Sequence, residues 1–498
     1  MLPLSAFTID LISDDLLLLA SILVFFAVLT AKVGSRIGVP TLLLFLILGM
    51  VAGADGLGVR FDDHEMAESI GHFAMTIILF TGGFSTSFKD IRPVLRQGIG
   101  LSTIGVLLTC TLTGGFIYLA VAKQFGIIAG SLLSCFMMAA VMSSTDSASV
   151  FSILRGKRMH LKHNLAPMLE LESGSNDPMA YVLTILLVDF ITSAERLGLG
   201  SWALVGNALL ILFMQFVIGA LVGIGVGYGA TWLIKVFKLP GTSLYSILVL
   251  CVAFFANGVA SKCYGNGLLA LYVAALILGN KAQIPNKKDV HKFLDGMTWL
   301  MQLLMFLVLG LLARPSKMPA VALPAILIGL FMMFVARPLS VFASLLPERK
   351  LPFKAKLFVS WVGLKGAGPI LFALCPVAAG LEGSTEIFNI VFLITLLSLL
   401  LQGMTLTPLA QKLGLCYEED PKVETFGMDI PEEMGMLRDH TVTEEDLAGG
   451  STLRDLHLPH GIRVMMVRRG ERFLVPHGSM PLEVGDRLVI IMGESDDD

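Results

Sequence analysis

Seven ionisable side chains stand inside long apolar runs of the sequence: Asp146, Glu170, Glu172, Asp177, Asp189, Arg337 and Lys365. If those runs cross a bilayer, each charge costs at least ~2.5–3.5 kcal/mol, so each calls for a function or a partner. Glu170 and Asp189 fall nearer run ends, where an interfacial carboxylate needs neither. Around Asp146 the chain reads Val141-Met142-Ser143-Ser144-Thr145-Asp146-Ser147-Ala148-Ser149. These hydroxyls and the carboxylate compete for backbone hydrogen bonds and favour local unwinding. Unwound backbone offers carbonyl oxygens, which are ligands for hard cations. The alternative is a hydroxyl-rich face that packs one helix on another. Around Asp177 the chain reads Glu170-Leu171-Glu172-Ser173-Gly174-Ser175-Asn176-Asp177-Pro178. At helical spacing Ser173 and Asp177 share one face, while Glu172 and Asn176 share another. One carboxylate can then serve an ion while the other makes a structural pair. Pro178 removes an amide donor and frees a carbonyl beside Asp177. A carboxylate held away from water is neutralised by a proton or by a cation, and competition between the two gives exchange.

Arg337, followed by Pro338, carries a permanent charge into an apolar run. It needs a buried acid, for which Glu172 is the candidate, unless it snorkels to the surface. Lys365 sits in Gly363-Leu364-Lys365-Gly366-Ala367-Gly368-Pro369, a second expected break in helix. Its ammonium suits the carbonyl ends of half-helices, or Asp146.

The elements that position these residues follow from composition. The chain has 498 residues, 55% hydrophobic and 15% charged, with mean hydropathy +0.78. Soluble domains carry about 25% charged residues, so this is an integral membrane protein, and disorder, collagen and coiled coil are excluded. Thirteen apolar runs are expected to span, near 15–33, 38–53, 66–88, 99–122, 126–154, 163–191, 202–236, 242–262, 266–280, 292–313, 318–345, 355–381 and 386–413. The runs 38–53 and 266–280 are short. Alternate loops carry 20 and 6 Lys+Arg, which puts the richer set in the cytoplasm, the N-terminus outside and the C-terminus inside. The N-terminus lacks the marks of a removable signal peptide. Leu46-Ile47-Leu48-Gly49 recurs 230 residues later as Leu276-Ile277-Leu278-Gly279. An offset of seven spans inverts the second copy, the inverted-repeat plan of secondary transporters with a site at the midplane. The six cysteines are scattered without a CxxC pair and read as small, mostly buried hydrophobes. His160 and His163, in a cytoplasmic loop, read as pH sensors or as ordinary interfacial residues.

Thr145-Asp146, Glu172-Ser173-x-x-Asn176-Asp177, Arg337 and Gly363-Leu364-Lys365-Gly366-Ala367 together resemble the signature series of NhaP/NHE-type monovalent cation:proton antiporters. The resemblance implies an all-α polytopic body with an NhaA-like inverted repeat and two broken, crossing helices. It implies that Asp177 carries the exchanged proton or cation, with Ser173, Thr145 and Asp146 as neighbours of the ion. It implies electroneutral 1:1 exchange, because Asn176 stands where electrogenic relatives have a second Asp. It also implies a Glu172–Arg337 structural pair and a homodimer. Two departures stand out. Thr81, in Leu79-Phe80-Thr81-Gly82-Gly83, replaces an acid that many relatives carry, and Lys365 replaces an Arg.

The charge balance breaks near Leu415: residues 1–414 carry 28 Lys+Arg and 20 Asp+Glu, the remainder 8 and 19. The expected domains are a transmembrane exchanger over 1–414, a linker over 415–436 and a small cytoplasmic α+β domain over 437–495. Short strands are expected in Leu453–Gly461, Val464–Val467, Phe473–Pro476 and Gly485–Ile491. The Gly461-x-x-Val464-x-x-Val467-Arg468-Arg469-Gly470 run and Gly485-Asp486-x-Leu488 are similar to a TrkA-C (RCK C-terminal) domain, which implies dimerisation or a small regulatory ligand. No glycine-rich nucleotide fingerprint precedes it. The reading is an inner-membrane antiporter exporting K+, or Na+, against H+, with no enzymatic activity, cofactor or nucleic-acid partner. The rivals are a Na+(Li+)/H+ exchanger of the same fold, a gated cation channel, an intramembrane hydrolase and an organic-solute symporter. No filter loop, metalloprotease motif or nucleophile elbow supports the channel or the hydrolase.

Overall fold

A computed structural model describes residues 14–37, 40–126, 131–156, 159–197, 201–237, 239–348, 350–418, 437–444, 446–447, 450–456, 462–470 and 472–492. The chain divides into two compact units, Met1–Tyr417 and Glu418–Asp498.

The first unit is helical. Its helices are α1 (Asp14–Ile37), α2 (Thr41–Ala52), α3 (His64–Ser85) and α4 (Phe88–Phe125), then the half-helices α5 (Leu132–Val141) and α6 (Ser147–Gly156). There follow α7 (Leu165–Leu197), α8 (Ser201–Val236), α9 (Thr242–Lys262), α10 (Gly267–Lys281), α11 (Lys287–Leu312) and α12 (Pro315–Ser344). A second interrupted pair, α13 (Phe353–Trp361) and α14 (Ala367–Ala378), leads to α15 (Ser384–Lys412). Each apolar run named above holds helix among its described residues. Six stretches among the described residues are long and apolar enough to cross a membrane: α4, Leu210–Val236 of α8, α9, α11, α12 and α15. The short runs give short helices, 12 residues for α2 and 15 for α10.

Local chemistry sets the ends. Asp63 caps α3 by accepting from Met66 N at 2.9 Å, and Asn266 caps α10 by accepting from Leu269 N at 2.9 Å. Past α5 the Ser143 hydroxyl donates to the Ala140 carbonyl at 2.6 Å, the side-chain competition expected of that polar island. Asp146 then caps α6, accepting from Ser149 N at 3.1 Å. Pro178 leaves α7 continuous; its own carbonyl accepts from Asn266 Nδ2 at 2.9 Å.

The two four-residue repeats pack reciprocally. Gly49 of α2 lies on α11, where an added methyl would stand 2.4 Å from the Leu307 carbonyl oxygen. Gly279 of α10 lies on α3, where it would stand 2.2 Å from the Phe84 carbonyl oxygen. Each repeat's short helix therefore rests on the long helix that follows the other repeat. Phe80, Phe84, Phe306, Phe358, Phe372 and Phe392 fill the interior. The outer face of α8 exposes Leu210, Phe213, Leu221 and Trp232, as a lipid- or protein-facing helix does. Two cysteines differ from the buried expectation: Cys251 and Cys263 are exposed.

A two-stranded sheet joins β1 (Met159–Leu161) to β2 (Cys416–Glu418). In the second unit β3 (Leu437–Thr441), β4 (Ile462–Arg469), β5 (Arg472–Leu474) and β6 (Arg487–Met492) form an antiparallel sheet in the order β3-β6-β4-β5. The register of β4 shifts between Val464 and Met466. Val442, Val467, Met480, Leu482, Leu488 and Ile490 lie in its core. The sequence reading missed β3, whose Arg438, Asp439 and His440 mask its alternation. The expected strand at Leu453–Gly461 is turn over its described residues 453–456. Among the described residues this unit is sheet and turn, without the helix of the expected α+β class; most of the expected linker, 419–436, lies outside them.

Candidate functional site

The two interruptions meet. The Asp146 amide donates to the Leu364 carbonyl at 2.8 Å, so one break satisfies a backbone group released by the other. Lys365 Nζ donates to the Ser144 carbonyl at 2.7 Å, placing a cation on the carbonyl-rich chain just past α5. The Lys365 amide donates to Ser398 Oγ at 2.9 Å. Ser398 in turn donates to Gln402 Oε1 at 2.5 Å, and Gln402 Nε2 to the Trp361 carbonyl at 2.8 Å. Two side chains of α15 thereby hold the second break open.

One face of α7 closes over the first break. Ser173 Oγ donates to the Thr145 carbonyl at 2.9 Å and accepts from Ser147 N at 3.1 Å, bridging both sides of it. Asn176 Nδ2 donates to Thr145 Oγ1 at 2.5 Å, and its buried Oδ1 has no hydrogen-bond partner among the described residues. Asp177 accepts a short hydrogen bond from Ser144 Oγ through Oδ1. Asp146 accepts another from Ser149 Oγ through Oδ2. Both carboxylates open into a cavity of about 40 Å³ that Ser144, Gln302, Ala367 and Gly368 also line. That volume admits water or a small ion. Glycine is required at Gly366, where an added methyl would stand 2.1 Å from Asp146 Oδ2.

Glu172 turns the other way. Its carboxylate accepts from Arg337 Nη2 at 2.5 Å, and both side chains are buried. A π-helical turn over Met332–Ala336 immediately precedes Arg337 and sets its direction within α12. Gly363 gives the guanidinium room: a methyl there would approach Arg337 Nε to 2.8 Å.

The structure therefore gathers Thr145, Asp146, Ser173, Asn176, Asp177 and Lys365 at the two breaks, and pairs Glu172 with Arg337 beside them. Asp189 is exposed on α7, away from this cluster. Thr81 is buried, with its hydroxyl donating to the Ile77 carbonyl at 2.8 Å, and is absent from the cavity wall. Sequence reasoning named Ser144 and Gly366 as members of the two breaks without giving them a role of their own, and it passed over Gln302. Counting only ionisable groups hid Gln302; an uncharged amide inside the apolar run of α11 was the available signal. Among the described residues no three His, Cys, Asp or Glu gather as a metal site. Two carboxylates, hydroxyls and unwound carbonyls around a small cavity, balanced by one ammonium, can take up a monovalent cation or a proton in competition.

Comparison with known proteins agrees with this chemistry. Residues 21–412 match the transmembrane family of sodium/hydrogen exchangers, and residues 437–496 match the TrkA-C domain. The chain is 37% identical to the K(+)/H(+) antiporter NhaP2 of Shewanella oneidensis over 484 residues, covering 96% of this chain and 81% of that protein. It is 36% identical to the K(+)/H(+) antiporter NhaP of Alkalimonas amylolytica, covering 93% and 75%, and 28% identical to the Na(+)/H(+) antiporter NhaH of Halobacillus dabanensis, covering 76% and 92%. The fold is similar to that of the sodium proton antiporter MjNhaP1 from Methanocaldococcus jannaschii, with TM-score 0.67 and 24% identity over 79% of this chain and 97% of that one. Interrupted helices that meet over a carboxylate-lined cavity, and a family match spanning nearly all of the helical unit, place this chain in the sodium/hydrogen exchanger family of membrane antiporters.

Proposed function

We propose that this chain exports cytoplasmic K+ in exchange for external H+ by alternating access, one cation for one proton. The observation that carries the reading is the pair of carboxylates, Asp177 and Asp146, opening into one cavity where two helix breaks meet. Asp177 takes the proton or the cation and faces one side of the membrane at a time. Ser144, Ser173, Thr145 and Asn176 keep the break in shape around it. Lys365 offsets carbonyl dipoles, and the Glu172–Arg337 pair holds α7 to α12. The choice of K+ draws on the Shewanella and Alkalimonas relatives, both named K(+)/H(+) antiporters. Exchange of Na+ is the second reading, favoured by the Halobacillus relative and the Methanocaldococcus fold neighbour.

The proposal extends to architecture. Thirteen spans, counting each interrupted pair as one, carry the N-terminus outside and the C-terminus in the cytoplasm of the inner membrane. The reciprocal seats of Gly49 and Gly279 support an NhaA-like inverted repeat with crossing broken helices. Residues 1–414 form the exchanger, 415–436 a linker and 437–495 a regulatory TrkA-C domain that takes a small ligand. The exposed apolar helices form a homodimer interface.

The test is cation-induced pH change in everted vesicles or proteoliposomes, comparing K+, Na+ and Li+ for wild type and Asp177→Asn. K+-driven proton movement without a membrane potential, silent in the variant, is the expected result. Full activity of Asp177→Asn would sink the assignment of the carrier residue; activity with Na+ alone would favour the second reading.

A further inference from the structure

The cavity beside Asp177 has two unlike walls. On the side of the breaks, Ser144 Oγ donates to Asp177 Oδ1 and both Asp146 oxygens accept from Ser149, while the buried Asn176 Oδ1 stands nearby without a partner among the described residues. From α3 the lining takes Met75, Ile78 and Leu79, and from α11 Met305 and Phe306, none of which carries an oxygen in its side chain. The single polar side chain that these two helices add to the lining among the described residues is Gln302. It is 8% exposed. Its amide makes no hydrogen bond among the described residues. An amide that lines a cavity without a protein partner is free to bond a ligand or water there. Thr81 does not share this role, because its hydroxyl is committed to the Ile77 carbonyl.

A cation that enters the cavity exchanges its hydration oxygens for protein oxygens. Asp177 supplies a charged oxygen from one wall. Among the α3 and α11 side chains of the lining, only Gln302 has an oxygen to offer. We propose that Gln302 ligates the transported cation and is the residue of this cavity that sets preference among monovalent cations. The inference rests on the exchange function proposed above. An uncharged amide oxygen exerts a weaker field than a carboxylate, so it penalises the dehydration of Na+ and Li+ more than that of K+. A carboxylate at the same position reverses that bias.

The test uses full-length protein in proteoliposomes, with apparent KM for K+, Na+ and Li+ read from proton movement. Cation-dependent thermal stabilisation of the detergent-purified protein provides a second readout independent of transport. Gln302→Met keeps length and volume but removes the oxygen. It is expected to raise the KM for K+ about tenfold, the scale of one lost ligand, with a smaller change in maximal rate. Gln302→Glu keeps an acceptor and adds charge, and is expected to shift the Na+:K+ affinity ratio about tenfold toward Na+. Wild-type KM values and ratios in Gln302→Met would overturn the inference. So would a Gln302→Glu protein that loses cation response altogether, since the amide would then act as a donor. If Gln302→Met does not fold, the ratio in Gln302→Glu decides alone: an unchanged ratio overturns the proposal. A wild type that binds cations by thermal shift but moves no protons defeats the exchange reading and leaves the Gln302 assignment to the binding ratios.

Discussion

A buried charge in this protein is tolerated only with a partner. Glu172 and Arg337 neutralise each other at 2.5 Å in the interior. Removing one member strands the other, at a cost of about 3–5 kcal/mol, whereas removing both together costs much less. Glu172→Gln is therefore expected to lower the thermal midpoint of the purified protein sharply, and Glu172→Gln with Arg337→Met to recover most of it. Equal loss in the single and double variants would argue against a paired role. Gly366 gives a second residue-scale prediction. The methyl of Gly366→Ala would stand 2.1 Å from Asp146 Oδ2, so the break must shift. Cation-driven proton movement is expected to fall at least tenfold, roughly 1.4 kcal/mol on the barrier, at unchanged protein level in the membrane. Wild-type transport by Gly366→Ala would show that the Asp146 geometry is not needed.

Elements are positioned here by close backbone approach rather than by hydrophobic contrast, which lipid does not supply between helices. Gly49 on α11 and Gly279 on α3 are the clearest cases, because the nearest atoms to an added methyl are main-chain carbonyl oxygens that cannot rotate away. Gly49→Ala and Gly279→Ala should each cost about 1–3 kcal/mol, the usual scale of overpacking. Gly229 and Gly258 lie in α8 and α9 with nothing within 4 Å of an added methyl. Gly→Ala there should be neutral or stabilising by up to about 1 kcal/mol. Melting curves of the four purified variants read the contrast directly; four equal shifts would refute the reciprocal seat. The same scale explains why the breaks persist. Ser143, Asp146 and Ser398 each supply a hydrogen bond that regular helix would otherwise have supplied.

At the scale of the whole molecule, the C-terminal sheet carries an acid-sensitive contact of its own. In the sheet unit, burial pushes the Asp486 carboxyl upward, but the Arg469 guanidinium and the Glu483 amide outweigh it and hold it below the usual carboxylate range. Arg469 Nε and Nη2 grip its two oxygens at 2.9 and 2.7 Å. A carboxyl with a lowered folded-state pKa stabilises above its unfolded value of about 4, and the contribution is lost as pH falls through the folded value. Hydrogen-exchange protection of β4 and β6 in the full-length protein, taken relative to the intrinsic rate at each pH, should therefore fall below about pH 4, and Asp486→Asn should flatten that acid limb while weakening the sheet at neutral pH. An unchanged acid limb in Asp486→Asn would remove Asp486 as its cause.

Much of this protein was legible before any coordinates. Apolar length alone marked the helices, since a bilayer-crossing run must satisfy its backbone internally. Charges inside apolar runs marked Asp146, Glu172, Asp177, Arg337 and Lys365, because insertion makes such residues rare without a reason. Polar islands and glycine clusters marked the two breaks. What the linear chain did not carry was the pairing across distance. That Asp146 N meets the Leu364 carbonyl, that Lys365 seats on the Ser144 carbonyl rather than on a carboxylate, and that Gln302 faces the same cavity from α11 depend on how distant helices pack. Strand β3 escaped for the related reason that its pairing with β6, not its own composition, makes it a strand. Local composition fixes which segments are helical and which side chains are costly to bury; only packing decides which of those side chains satisfy one another and which remain open to an ion.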